Sequence, residues 1–270
     1  MTDGSIRSAR FPWRDGNPVH LPCRPGDVPR TVLIPGDPDR VAIAANVLDG
    51  ATDLGRRREF AMARGTWEGT PIAVCSSGIG GPSTEIAAVE LVHLGAMNLI
   101  RVGGMGAVDA TLALGSFVIV ERATGGTGTA RLYGAPDEGV AADGAIVNAL
   151  ERAARQLCLP YRRGVIHTTD SYYWGQERPT SPDASVPAAR EGLLDRLVSE
   201  GIAGIDMEAE ALFAVGRTVG ARVGAVLAVH GHRVTDRWLE DYDEPQRNLI
   251  RLAATAAAIL ETDNREEPSP

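Results

Sequence analysis

The chain has 270 residues, 44% of them hydrophobic, and a formal net charge of −8. A chain of this length and composition can bury a large core, and we expect a single α/β domain. The negative charge argues against a broad basic surface for nucleic acid, so a phosphate group must be bound by a local site.

Cysteine use and hydropathy bear on the compartment. The three cysteines, Cys23, Cys75 and Cys158, are odd in number and form no Cys-x-x-Cys pair, so neither a disulfide framework nor a zinc ribbon is indicated. The N-terminal segment MTDGSIRSARFPWRDG lacks the apolar centre of a signal peptide. No later run reaches the roughly 18 apolar residues of a membrane span. We expect a cytoplasmic protein without a membrane partner.

Short apolar runs that end at Gly or Pro alternate with Ala-rich and Leu-rich segments of helical length, which is typical of an α/β fold. The runs predict strands near Thr31–Ile34, Ile72–Cys75, Leu99–Val102, Phe117–Val120, Gly164–His167 and Val223–Val229. The segments predict helices at Pro38–Val47, Ser83–Leu94, Ala145–Leu157, Ala188–Glu200, Glu208–Val219 and Glu244–Leu260. Residues 1–18 are interpreted as an N-terminal arm, 19–261 as the domain and 262–270 as a disordered tail.

The first motif, PGDPDR at Pro35–Arg40, follows the apolar run VLI. Gly36 allows a tight turn, Pro38 suits the first turn of a helix, and the free N–H groups there attract anions. Arg40 can add a charge-assisted bond to a phosphate. A capped helix start with a surface arginine explains this segment equally well.

Two glycine turns follow later strands. Ser77–Ser83 lacks the third glycine of a dinucleotide fingerprint, so close backbone packing explains it better than a nicotinamide site does. In Ile100–Ala107, Arg101 lies near the end of a buried-looking strand, before three glycines in four residues. This arrangement suits a phosphate site, and a buried ion pair is the alternative.

An acidic motif, Gly204–Glu210, runs from a strand into an Ala-rich helix. Asp206 and Glu208 could simply favour the helix N-terminus through its dipole. A carboxylate at a strand end is also well suited to accept two hydrogen bonds from a ribose diol.

Two further segments carry aromatic and imidazole groups. Tyr172–Arg178 offers aromatic faces, an amide and a guanidinium for the edge of a pyrimidine, although an aromatic core patch is an equal alternative. The pair His230 and His232 suggests zinc, but no cysteine pair or further close ligand supports a metal.

Six segments in register resemble the uridine phosphorylase branch of the nucleoside phosphorylase family, which comprises purine nucleoside and uridine phosphorylases. They are PGDPDR, REF at Arg58–Phe60, CSSGIGGPS, IRVGGMGA, SYYWGQER and IDMEAEAL. The match runs from about Val19 to Leu260, and GQER favours the pyrimidine branch. The resemblance implies a three-layer α/β/α fold with a mixed central sheet and a homohexamer built from dimers that share active sites.

The resemblance also assigns site residues. Phosphate would be bound by Gly36, Arg40, Arg101, Gly104 and, from a neighbouring subunit, Arg58. Ribose would be bound by Met207, Glu208 and, from the partner subunit, His20. The base would be bound by Tyr172, Gln176, Arg178 and the position of Gly231. A monovalent cation such as potassium would lie between subunits at Glu59, Ile79 and Ser83.

The implied reaction is phosphorolysis of a pyrimidine nucleoside, either uridine or a modified uridine, by a pentosyltransferase. Phosphate clamped by arginines would offset positive charge on the ribose and attack C1′, while Gln176 and Arg178 stabilise the leaving base. The catalytic residues would be Arg101, Glu208 and Arg178, with inorganic phosphate as co-substrate and no catalytic metal or cofactor. A nucleoside hydrolase and a non-catalytic binding homologue remain alternatives.

The sequence departs from the family at two positions that touch ligand. Gly104 stands where relatives have a hydroxyl residue, which removes a hydrogen bond worth on the order of 1 kcal/mol. Gly231 stands where uridine phosphorylases have an arginine and purine relatives an aspartate. We expect the space at Gly231 to be filled by a neighbouring histidine or by a substituted base, and hence a modified pyrimidine nucleoside as substrate.

Overall fold

The predicted apolar runs form the buried strands of one mixed sheet in the computed structural model, which describes residues 9–266. Within that range the strands are Thr31–Ile34 (β1), Asp49–Arg57 (β2), Phe60–Trp67 (β3), Thr70–Cys75 (β4), Asn98–Ala107 (β5), Phe117–Thr124 (β6), Val140–Ala141 (β7), Tyr161–Thr168 (β8), Ile202–Asp206 (β9), Arg222–His232 (β10) and Arg237–Trp238 (β11). The helices are Asp39–Ala45 (α1), Gly81–His93 (α2), Gly128–Leu132 (α3), Gly144–Gln156 (α4), Leu193–Ser199 (α5), Ala209–Val219 (α6) and Asp243–Glu266 (α7).

The strand order is β11-β10-β6-β8-β9-β5-β1-β4-β3-β2, and β7 pairs with β6 at the side. β10 also pairs with β5 in parallel along most of its length, so β5, β10, β6, β8 and β9 close a ring of paired strands. β1 is parallel to both β4 and β5. The carboxyl ends of β1, β4, β5 and β10 therefore meet at one edge, where ligands bind in α/β sheets.

Helices cover both faces of the sheet. On one face α2 and α6 pack together through fully buried side chains such as Leu91 and Phe213. On the other face α4 and α7 pack together through Leu150 and Leu252. The predicted three-layer α/β/α architecture with a mixed central sheet is confirmed.

Two predicted elements need correction. The predicted helix Ala188–Glu200 is shorter, because Gly192 adopts a left-handed conformation with φ of 79° and separates a short 3₁₀ turn from α5. The hairpin of β2 and β3 was missed. β2, with sequence DGATDLGRR, is polar and largely exposed, so it carries no apolar alternation, and main-chain pairing with β3 forms it.

The last helix extends further towards the C-terminus than expected. The prediction that a disordered tail begins at residue 262 is wrong for 262–266, since α7 continues to Glu266. Polar contacts hold this last turn, with Asp263 2.7 Å from the Nη1 atom of Arg152 and Asn264 3.3 Å from the Nη2 atom of Arg222. Residues 1–8 of the predicted arm and 267–270 of the predicted tail lie outside the described residues.

The described part of the arm contacts the body of the protein through aromatic rings. Trp13 lies against His93 of α2, with 4.0 Å between ring centroids. No helix within residues 9–266 is long and apolar enough to cross a membrane. All three cysteines are free thiols.

Candidate active site

A cavity of about 690 Å³ lies at the carboxyl ends of β1, β4, β5, β8, β9 and β10. The residues predicted for phosphate, ribose and base that line it are Gly36, Arg40, Arg101, Gly104, Tyr172, Gln176, Arg178, Met207 and Glu208. The fold therefore gathers motifs that are far apart in the sequence into one site.

Three predicted residues do not line the cavity of their own chain. Arg58 is exposed in the turn between β2 and β3, with φ of 55°. His20 instead binds α2, with its Nδ1 atom 2.7 Å from a carboxylate oxygen of Glu90. Because Arg58 and His20 were assigned to a neighbouring subunit, their roles stay predictions. The third residue, Gly231, lies on β10 and pairs with Trp238 of β11.

Arg101 on β5 is fixed by two carboxylates. Its Nε atom donates to Oδ2 of Asp206 at 2.9 Å, and its Nη2 atom lies 2.5 Å from Oε2 of Glu208. The side chain is 4% exposed. Burial alone would lower the pKa of Arg101, but Glu208 and Asp206 outweigh this and raise it. The buried ion pair considered as an alternative is thus present, and it lies in the wall of the cavity.

Asp206 ends β9 and orients both Arg101 and the start of α6. Its Oδ2 atom accepts hydrogen bonds from the amides of Glu208 at 3.2 Å and Ala209 at 2.9 Å. Its Oδ1 atom accepts a bond from the Thr168 hydroxyl at 2.7 Å. The helix-start role suggested by the sequence belongs to Asp206, which leaves Glu208 for the cavity.

Glu208 is 5% exposed and lies between two donors. Its Oε1 atom accepts from the amide of Gly80 at 2.7 Å, and Oε2 faces Arg101. Burial raises the pKa of Glu208, the charge of Asp206 adds to this effect, and Arg101 opposes it. The Gly80 amide and Arg101 hold the carboxylate in a fixed orientation beside the cavity.

Arg40 and Arg101 both carry a buried nitrogen without a partner. Among the described residues, Nε of Arg40 and Nη1 of Arg101 have no hydrogen-bond acceptor. Burial lowers the pKa of Arg40, and repulsion from Arg101 lowers it further. One amide of the predicted anion-binding turn is already used, since Asp39 donates to Asp37 at 2.9 Å. Guanidinium groups, more than the turn, therefore supply the unused donors of this wall.

The opposite wall carries an aromatic ring, an amide and a guanidinium. The Cζ atom of Arg178 lies 4.1 Å from the ring centroid of Tyr172, and its Nη1 atom donates to the side-chain oxygen of Gln176. Gln176 is 4% exposed. Burial lowers the pKa of Arg178, and Arg233 lowers it further. Arg233, which sequence reasoning missed, donates to the main-chain oxygen of Gln176 at 3.0 Å and supports this loop.

The residues predicted for a monovalent cation lie at the rim of the same cavity. The Ser83 hydroxyl donates to Oε1 of Glu59 at 3.1 Å, and Ile79 is 78% exposed. These contacts bring two of the three side chains together, and the cation itself stays a prediction.

The two unusual glycines are each covered by an aromatic ring of this chain. A Cβ atom on Gly104 would overlap the imidazole of His230. A Cβ atom on Gly231 would lie 2.7 Å from the ring of Trp238, which is its cross-strand partner on β11. Trp238 and His230 line the cavity and Gly231 does not. The expectation that a histidine or a substituted base fills the space at Gly231 is therefore wrong, because Trp238 fills it.

The chain is similar to known proteins over most of its length. The family model described as the phosphorylase superfamily matches residues 30–262. The chain is 37% identical over 268 residues to a uridine phosphorylase of Thermococcus kodakarensis, covering 99% of this chain and 95% of the relative. It is 35% identical over 231 residues to the uridine phosphorylase of Escherichia coli, covering 84% and 91%. A guanosine phosphorylase of Halorubrum lacusprofundi is 30% identical over 250 residues, covering 89% and 98%.

Proposed function

This chain belongs to the phosphorylase superfamily, and we propose that it is a nucleoside phosphorylase acting on a pyrimidine nucleoside, either uridine or a modified uridine. The products are the free base and the corresponding ribose 1-phosphate, which makes the enzyme a pentosyltransferase. The observation that carries the proposal is one cavity in which two arginines with unpaired buried nitrogens stand beside a buried carboxylate.

The part of the cavity wall formed by Arg40 and Arg101, here called the arginine wall, supports phosphate as the co-substrate. Two neighbouring guanidinium groups, Arg40 and Arg101, repel each other and retain unused donors. An oxyanion with several acceptor oxygens relieves both conditions at once, since charge-assisted hydrogen bonds are about twice as strong as neutral ones. Gly36 and Gly104 line the same cavity. Water would satisfy neither the charge nor the number of donors, which disfavours a hydrolase.

The carboxylate supports ribose binding. Glu208 is aimed at the cavity by Arg101 and by the Gly80 amide, and a carboxylate accepts two hydrogen bonds from a vicinal diol. Met207 lines the same region and supplies an apolar contact for the sugar ring. Binding of the diol fixes the sugar, so that C1′ can lie between the phosphate and the base as in-line attack requires.

The part of the cavity wall formed by Tyr172, Gln176 and Arg178 supports recognition of a pyrimidine. Gln176 and Arg178 present an amide and a guanidinium, and Tyr172 presents a ring face. An amide and a donor can match the carbonyl and N3–H edge of uracil. Because Gly231 carries no carboxyl group and Trp238 covers it, an acid for protonating a purine is missing at this position. We therefore favour pyrimidines, although one similar protein is a guanosine phosphorylase.

In the proposed reaction, phosphate held by Arg40 and Arg101 attacks C1′ as the glycosidic bond lengthens. Positive charge develops on the ribose and is offset by the phosphate, while negative charge develops on the base and is offset by Arg178. The side chains are already oriented, before the reaction begins, towards the places where these charges develop. Such preorganisation is usually the largest source of rate enhancement in sites of this kind.

We also propose a homohexamer built from dimers. The support is that Arg58 is exposed on a hairpin and His20 lies outside the cavity of its own chain, so a second copy would have to bring them to a site. Potassium bound near Glu59 and Ser83 is proposed as a structural ion. A cytoplasmic location and a role in pyrimidine salvage are proposed as well, and three free thiols agree with a reducing compartment.

The decisive experiment incubates the enzyme with uridine, 5-substituted uridines, 5′-modified uridines and guanosine, with and without inorganic phosphate. We expect release of base only with phosphate, and a sugar 1-phosphate as the second product. Free ribose formed equally well without phosphate would identify a hydrolase. Absence of turnover with every nucleoside would favour a binding protein.

Shared sites are tested by mixing two variants with lowered activity, Arg58→Ala and Glu208→Ala, under conditions that exchange subunits. If a neighbour supplies Arg58, some sites in the mixture contain both native residues, and activity rises above that of either variant. Activity that stays at the level of the separate variants would refute the sharing of sites.

A further inference from the structure

His230 lies where the pairing of β10 with β5 is irregular. The parallel register runs through Val229 paired with Met105 and resumes at Gly231 paired with Gly106, so His230 is the extra residue. Such bulges commonly redirect a side chain. Here the imidazole lies over Gly104, in the space that any larger side chain at that position would occupy. The ring is buried and contributes to the wall of the cavity.

Three unpaired nitrogens belong to side chains that line this one cavity. Among residues 9–266, Nε of Arg40, Nη1 of Arg101 and Nε2 of His230 are buried and have no hydrogen-bond partner. A buried polar group without a partner costs about 1–3 kcal/mol, so each such group needs an explanation, and a bound ligand is one. An anion with several acceptor oxygens is the class of ligand that offers acceptors to such nitrogens.

The electrostatic environment indicates the phosphate end of the cavity. Burial lowers the pKa of His230 to about 4, and the positive charge of Arg40 contributes to the shift. The ring is therefore neutral near pH 7 and carries one N–H group. Besides lying over Gly104, the imidazole faces the ring of Tyr242, which is edge-on at 4.7 Å between ring centroids. These contacts hold the imidazole in place without using its Nε2 atom.

We infer that Nε2–H of His230 donates a hydrogen bond to the phosphate co-substrate and takes the place of the hydroxyl side chain that Gly104 lacks. The inference rests on the proposed function. His230 is then a phosphate-binding residue of this chain, next to Arg40 and Arg101. A neutral donor also avoids adding a third positive charge to two arginines that already repel each other.

The test compares His230→Ala with His232→Ala. His232 is a matched control, because it lies on the same strand and is also buried with an unpaired Nε2 atom, yet it does not line the cavity. Binding of inorganic phosphate alone is measured by calorimetry, and KM values for phosphate and uridine are measured separately.

We expect His230→Ala to weaken phosphate binding about 10- to 100-fold, as for a lost hydrogen bond to a charged group, and to change the KM for uridine by less than about twofold. His232→Ala should bind phosphate as the native enzyme does. Unchanged phosphate affinity in His230→Ala, or a rise confined to the KM for uridine, would overturn the inference. Should His230→Ala fail to fold, His230→Asn, which keeps an N–H donor but shortens the reach, is expected to weaken phosphate binding less than tenfold.

A rescue experiment separates a phosphate contact from general packing. Gly104→Thr in the native background should impair phosphate binding, because the new side chain overlaps His230. In the His230→Ala background the same change restores a hydroxyl group and should recover phosphate affinity. Equal effects of Gly104→Thr in both backgrounds would overturn the inference. Phosphate binding by an enzyme that cleaves no nucleoside would instead refute the proposed function and leave the His230 contact measurable.

Discussion

Replacing Asp206 by Ala tests whether one buried carboxylate organises the whole arginine wall. The Asp206 side chain is fully buried and accepts from Nε of Arg101 at 2.9 Å, the Thr168 hydroxyl at 2.7 Å and two amides at the start of α6. Removing one partner of a buried ion pair costs about 3–5 kcal/mol. We expect the lower end of this range, since Glu208 still faces Arg101 in the variant. For a chain of this size the loss corresponds to a fall in Tm of roughly 6–12 °C.

The assay is thermal unfolding at one fixed protein concentration, because assembly makes Tm depend on concentration. Asp109→Ala is the control. Asp109 pairs with Arg162 at 2.8 Å on the surface, where an ion pair contributes about 1 kcal/mol or less. We also expect the KM for phosphate to rise in Asp206→Ala, since Arg101 loses its Nε anchor. A Tm within about 3 °C of the native value would refute the argument that this buried pair is anchored by Asp206.

Three further outcomes are expected. Glu208→Ala should lower kcat/KM for uridine about 10- to 150-fold, because roughly 1.5–3 kcal/mol of hydrogen bonding to a charged group is lost. A loss of less than about threefold would leave Glu208 without a catalytic role. Gly231→Arg should lower Tm because its side chain collides with Trp238, and the double variant with Trp238→Ala should recover; an unchanged Tm in the single variant contradicts this. The free energy of unfolding should fall as pH decreases from about 6.5 towards 4. Folding lowers the pKa of His230 from about 6.5 to about 4, so in this range the unfolded chain binds the proton more readily than the folded one. Unfolding curves of native protein and His230→Asn at both pH values check this, and an equal loss in both proteins would exclude His230 as the source.

Residues next to apolar strands could be predicted from the sequence. Arg101 and Glu208 stand beside runs of buried residues, in motifs that resemble those of the family, so both could be predicted as site residues. The carboxyl ends of parallel strands meet at one edge of an α/β sheet, but β5 and β9 are antiparallel, so this rule does not predict that Arg101 and Glu208 meet. These local signals left structural alternatives open at each motif, and the resemblance to the family assigned the site residues.

Contacts between distant side chains could not be predicted in the same way. The ring of Trp238 covers Gly231 because a two-residue strand, β11, pairs with the end of β10, and a strand of that length has no periodic pattern. The imidazole of His230 covers Gly104 because of a bulge that no motif announces. A glycine in a sequence shows only that no side chain of its own fills the space beside its Cα atom. Which neighbouring side chain fills that space is seen only in the folded chain.

The overlap between Gly104 and His230 constrains the order in which such a site can arise by mutation. A histidine at position 230 fits only when position 104 carries no side chain, since even a Cβ atom there would overlap the ring. If His230 binds phosphate as proposed, the glycine therefore has to precede the histidine along any path on which every intermediate keeps its affinity for phosphate. On that proposed role, an intermediate with glycine alone lacks both the hydroxyl group and the imidazole as phosphate ligands, and the histidine then supplies one of them. Return to a hydroxyl residue at position 104 requires the histidine to be lost first, so the exchange behaves as an evolutionary ratchet.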